Sequence, residues 1–159
     1  MRKVVIASLS LSLALSLSAC GSGKDAATLM TTQVTDGVES SITSDGNDLR
    51  VTGILLVAQP DGSAVLVGNM VNNAATEDAL LGISVGGVLA KMSATTLPLT
   101  QNMPVIFSGD SANASAVAVG VNAQAGKHLP VYLFFGRAGE MKLNALIVEK
   151  AGIYAGVGA

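Results

Sequence analysis

The chain has no tryptophan, one histidine and one cysteine, and aromatic residues make up only 3% of its 159 positions. A single cysteine excludes an internal disulfide, so stability must come from burial. Nucleophilic catalysis needs a nucleophile, a base and a group to orient it. His128 is the only histidine and no serine sits in a Gly-x-Ser-x-Gly elbow, so a hydrolase is not expected. Charged residues are also sparse, at 13%. The acids Asp36, Glu39, Asp45, Asp48, Glu77, Asp78 and Asp110 fall in predicted turns and strand edges, where solvated carboxylates are ordinary. Asp45-Gly46-Asn47-Asp48 lacks the alternating spacing and distal Glu of a calcium loop, and reads as a turn. Gly86-Gly87 is followed by no Lys-Ser/Thr pair and opens no helix, so it is no phosphate loop. No catalytic residue is assigned.

One long apolar run is present, and it lies at the start. Arg2 and Lys3 precede Val4 to Leu17, and Leu17-Ser18-Ala19-Cys20 follows. A charged start, an apolar middle and small residues before a cut site make a secretory signal. The run is shorter than the roughly 20 apolar residues that span a bilayer. Leu17, Ser18, Ala19 and Cys20 resemble the lipobox of bacterial lipoproteins. That resemblance implies cleavage before Cys20, whose thiol carries diacylglycerol and acyl chains such as palmitate. Two such chains anchor firmly where one holds marginally, since each buried CH₂ contributes about 0.8 kcal/mol. The expected location is the extracytoplasmic face of the cell membrane. No other cofactor is implied.

Arg2 and Lys3 leave with the signal and all acids stay, so seven basic residues face eleven acidic ones and the mature formal charge is −4. That balance argues against nucleic acid, which requires a basic footprint. The expected partners are the membrane, through the anchor, and an envelope protein.

The expected organisation is a signal peptide over residues 1–19, a lipidated cysteine and polar tether over 20–33, a β domain over 34–150, and a loose tail over 151–159. Short β-type runs recur from Val34 onward. Leu49 to Gln59 and Ala64 to Val71 flank Pro60-Asp61-Gly62-Ser63, where Pro presets φ and Gly accepts a positive value, so a hairpin is predicted. Ala79 to Val85, Val88 to Leu97, Met103 to Ser108, Ser115 to Val121, Lys127 to Phe135 and Met141 to Glu149 read as further strands, with Pro98 as an interruption. Asn72 to Leu81 has room for one helical turn at most. Tyr132 to Phe135 is apolar on both faces, as a covered central strand would be. Seven to nine short strands at this spacing predict an all-β, antiparallel Greek-key sandwich.

Several of these stretches resemble a known group. They are the hairpin at Pro60-Asp61-Gly62-Ser63, Leu66-Val67-Gly68-Asn69-Met70-Val71-Asn72-Asn73, Ala79-Leu80-Leu81-Gly82-Ile83-Ser84-Val85, Ala116-Val117-Ala118-Val119-Gly120-Val121 and Leu129-Pro130-Val131-Tyr132-Leu133-Phe134-Phe135. Together they resemble actinobacterial lipoproteins of the LpqE type, distant relatives of the PCuAC periplasmic copper chaperones. The resemblance implies a cupredoxin-like sandwich. It also implies a copper site of His and Met side chains, soft donors suited to Cu(I). The family's second His-x-Met segment falls near Ser115-Ala116-Val117-Ala118-Val119, where no such donor occurs. Metal ligands are therefore expected to be absent. Met70 and Met141 read as core residues, which leaves Met92, Met103 and His128 as the remaining side chains for a metal. Asn113-Ala114-Ser115 fits a glycosylation triplet, but in a lipobox chain it reads as coincidence.

Overall fold

The structure is a computed structural model that describes residues 36 to 158. The signal peptide, the lipobox with Cys20, and the tether lie outside the described residues.

Eleven strands are found among the described residues: β1 (Val38–Ile42), β2 (Leu49–Ala58), β3 (Ala64–Asn72), β4 (Asp78–Val85), β5 (Val88–Leu89), β6 (Lys91–Met92), β7 (Leu97–Leu99), β8 (Val105–Ile106), β9 (Ala116–Ala118), β10 (His128–Phe135) and β11 (Glu140–Val148). They run in the order β5-β4-β10-β11-β2-β3-β9-β6, with β1 on β2, β7 on β4 and β8 on β3. This is the predicted all-β, cupredoxin-like sandwich, with two corrections. The strands exceed the expected seven to nine, because Val88 to Leu97 does not form one strand. It breaks into β5, β6 and the start of β7: β5 and β7 pair with β4, and β6 between them crosses to β9. The sheet is also not wholly antiparallel: β11 joins β2 in parallel, through Ile147 opposite Leu56 and Val148 opposite Val57.

Local chemistry sets the strand ends. The β2–β3 turn closes with a Gly62 N–H to Gln59 carbonyl bond of 2.9 Å, and Gly62 takes φ 79°. Asp61 fixes the same turn by accepting from the Ser63 hydroxyl at 2.6 Å and its N–H at 2.9 Å. These bonds hold the Asp61 carboxyl below the usual carboxylate range. Pro98 does not interrupt a strand but lies within β7, at an exposed edge where a missing N–H costs little. No helical turn forms over Asn72 to Leu81, which instead leads into β4.

Alternation places the core between the two layers. Leu49, Val51, Ile54 and Leu56 of β2 meet Leu80, Ile83 and Val85 of β4, Val131 and Leu133 of β10, and Met141 and Ile147 of β11. Met70 is 0% exposed and Met141 4%, so both methionines fill the core as their sequence context suggested. One polar side chain is fully buried among them. Asn72 donates to the carbonyls of Thr76 and Leu99, each at 2.9 Å, and accepts from the Ala74 N–H at 3.1 Å. It ties the β3 end, the following loop and β7 together.

The last residues are not a plain loose tail. Gly152–Tyr154 makes a 3-10 turn, and the Gln59 amide reaches the Val157 carbonyl at 3.5 Å. Burial, and then the Asp36 carboxylate, push the Tyr154 phenol above its usual range.

Candidate functional site

Strand β9 is three residues long and alternates cleanly. Ala116 and Ala118 face the core at 0% and 1% exposure, while Val117 points the other way. Val117 pairs with Val65 on β3 and with Lys91 on β6. This Val65–Val117 pair forms the floor of a cleft of ≈ 650 Å³, within the range of ligand pockets. Ala112, Ala114 and Ser115 from the β8–β9 loop line it from one side, and Ile153, Val157 and Gly158 from the other. Ser108 and Asp110 add polar groups. A smaller hollow of ≈ 360 Å³ under Gln59, Pro60, Asp61 and Ser63 shares Val65, Val117 and Gly158, so the two are continuous. No lysine or arginine lines either one; their acids are Asp110 and Asp61.

The three side chains left for a metal do not come together. Met92 is half-buried on β6, not in a loop, and sits opposite Ala116. Met103 is 63% exposed, two residues before Val105, which pairs with Met70. Ala116 is level with Leu66 on β3, so the strand rise puts the Met92 and Met103 regions about 13 Å or more apart. His128 is exposed at the start of β10, beyond the Val131–Val85 pair that begins the ladder with β4. Among the described residues no group of His, Cys, Asp or Glu is placed to hold a metal ion. The His-x-Met donors that the resemblance implies are missing from Ser115 to Val119.

Asn113, in the glycosylation triplet, is already engaged: it accepts from the Ile106 N–H at 2.8 Å and donates to the Pro104 carbonyl at 2.9 Å. What sequence reasoning missed is the cleft itself. Its floor comes from cross-strand neighbours and its far wall from the C-terminal turn, and neither leaves a local signal.

Solved structures resemble this arrangement. The copper-bound PCuAC domain from PmoF2 superposes with a TM-score of 0.59 at 18% identity, covering 70% of this chain and 98% of that one. The apo PCuAC domain from PmoF1 gives 0.58 at 21%, covering 70% and 99%. The apo PmoF2 PCuAC domain gives 0.53 at 19%, covering 65% and 92%. The described domain therefore has the fold of PCuAC domains. No protein-family model and no curated protein matches the sequence.

Proposed function

We propose that this chain is a lipid-anchored, non-catalytic binding module on the extracytoplasmic face of the cell membrane, and that the β3–β9 cleft is its binding site. With the LpqE-type lipoproteins, it would form a branch of the PCuAC fold that works without copper ligands. The observation that carries the reading is the outward side of Ser115 to Val119. Where the copper family has a His-x-Met segment, this chain places Ser115 and Val117 in a cleft of ≈ 650 Å³. The apolar floor, the two acids at the rim and the lack of lining cations suit an apolar segment flanked by basic residues on an envelope protein.

Two experiments test this. A photo-crosslinking residue at Val117 in the lipidated protein should trap a discrete adduct in cells, and one at Glu39 should not. Identical patterns from the two positions would remove the cleft from consideration. Mass spectrometry of the mature N-terminus should find an acylated Cys20, and Cys20→Ala should release the protein from membranes.

Copper handling is the second reading. It is supported by the likeness to a copper-bound domain and by Met92, whose strand neighbour is Ala116. A Cu(I) titration against a competing chelator decides it. Stoichiometric binding abolished by Met92→Leu would favour copper, and binding at background would retire it.

A further inference from the structure

We infer that the outer face of β5, β4, β10 and β11 rests on the lipid surface to which the chain is anchored. The inference rests on the lipid-anchor reading. It concerns the opposite side of the sandwich from the β3–β9 cleft.

The outer face of an antiparallel sheet ordinarily carries polar side chains. Here Tyr132 lies opposite Ser84, and Ser84 opposite Leu89; Phe134 lies opposite Gly82. Leu89 is 75% exposed. The β4–β10 ladder then slips between Phe134 and Phe135, leaving Leu81 as an extra residue. Such a bulge re-aims a side chain, and Leu81 is 50% exposed. Two of the chain's five aromatic residues thus join two exposed leucines on one surface. Tyr132 and Phe134 are half-buried and the two leucines exposed, and apolar groups gathered on one face in this way mark a contact site. These residues lie on the open face of a sheet, which suits a broad, deformable partner better than a small ligand.

Two further observations select a lipid surface. Lys142 lies opposite Tyr132 in the β10–β11 ladder, with its amine 5.4 Å from the ring centroid. A tyrosine and a snorkelling lysine are the side chains that favour the boundary between acyl chains and headgroups. The second is reach. The described chain begins at Asp36, whose carboxylate is felt by Tyr154 shortly after β11 ends. From β11 to β5 is three strand spacings, about 15 Å. Residues 21 to 35 between Cys20 and Asp36 can extend about 50 Å at most. The anchor and this face can therefore meet the same bilayer. Lys142 and Glu140 balance each other on the face, so the contact is apolar and should not depend on salt.

The test uses the full lipidated protein in phosphatidylcholine vesicles. Acylation consumes the Cys20 thiol, so Leu89→Cys gives one site for a fluorescent label, and Asn69→Cys on the opposite sheet gives the control. Lipids carrying a nitroxide near the headgroup should quench the label at 89 severalfold more than the label at 69, in low and high salt alike. Protein that sediments with the vesicles yet shows equal quenching at both positions overturns the face proposal and leaves the anchor standing. Unquenched label at 89 with crosslinking between copies also overturns it, in favour of a dimer face. Protein that stays in the supernatant overturns the anchor reading and this inference with it.

Discussion

Replacing Asn72 by aspartate should make the stability of this domain depend steeply on pH. Asn72 is 1% exposed, and its amide group donates at 2.9 Å to the buried Leu99 carbonyl and to the part-buried Thr76 carbonyl. An ionised carboxylate donates nothing. It would set a charge against the Thr76 and Leu99 carbonyl oxygens from a position that is itself 1% exposed. Burial and the carbonyl dipoles would raise its pKa in the folded protein, by about 3 units or more. In the unfolded chain it would titrate near the ordinary value of about 3.9. Below that value both states hold the proton, and the substitution costs only the imperfect replacement of two hydrogen bonds by one, about 1–3 kcal/mol. Above it the folded state keeps a proton that the unfolded state gives up, so stability falls as pH rises. Each pH unit removes about 1.4 kcal/mol until the raised pKa is reached. Near pH 7 the penalty grows by about 4 kcal/mol, a large share of a small domain's roughly 5–15 kcal/mol. Urea unfolding followed by circular dichroism at several pH values, with wild type subtracted, measures the gap. Asn72→Leu is the control, since its cost should not change with pH. A gap for Asn72→Asp that is equally flat would refute the assignment of Asn72 as a buried donor to the Leu99 and Thr76 carbonyls.

Gly68→Ala should destabilise by about 2–4 kcal/mol in thermal unfolding, because a positive φ combines with overpacking. Its φ is 139°, and a Cβ there would lie 2.5 Å from Ile54 Cδ1 and 3.0 Å from the Thr52 carbonyl oxygen. Gly53→Ala has φ 65° and open space, so it should cost only about 1–2 kcal/mol; a reversed order would count against the packing described. Ser63→Ala should raise the Asp61 titration toward the ordinary carboxylate range, read by NMR, because both hydrogen bonds from Ser63 lower it and the hydroxyl contributes most. With its folded pKa depressed, Asp61 contributes stability above the ordinary carboxylate pKa and loses it as pH falls through the folded value. Leu133→Ala, at 0% exposure, should cost about 2–5 kcal/mol. Leu89→Ser should leave the unfolding midpoint almost unchanged, since 75% of that side chain's residue surface is already in water.

The parts of the fold legible in the sequence are those whose partners are near in the chain. Leu49–Ala58 and Ala64–Asn72 meet across a turn whose Pro, Asp and Gly announce it. His128–Phe135 and Glu140–Val148 likewise join across a glycine-bearing turn. The stretch from Val88 to Ile106 was not legible in this way. Its strands are two or three residues long, and their partners lie elsewhere: Met92 against Ala116, Leu97 against Leu80, Val105 against Met70. A two-residue strand has no period to read. The parallel contact between Leu56 and Ile147 has no local signal either. The run Leu129 to Phe135 shows the limit from the other side. It is central in the sheet, between β4 and β11, but Tyr132 and Phe134 are only half-buried. Apolar character on both sides of a strand indicates two apolar faces, not what covers the second one.

The same alternation explains how this fold can hold a copper site in one protein and an apolar cleft in another. In β9 the inward positions are Ala116 and Ala118, and the close approach of β3 and β6 leaves them almost no exposed surface. Those positions answer to packing. Ser115 and Val117 face outward, where core volume imposes no demand, so their identities can change without disturbing the strand. Stability does not pass through a metal: the core is a continuous set of aliphatic side chains shared by both layers, closed by hydrogen bonds such as those of Asn72. A metal that contributes nothing essential to folding can be lost while the backbone persists. Likeness of fold therefore follows the inward residues and chemistry follows the outward ones. In this chain the outward residues form an apolar-floored cleft with two acids on one side of the sandwich and an aromatic–leucine face on the other. That pattern supports the proposed module, which would hold a partner while resting on a membrane.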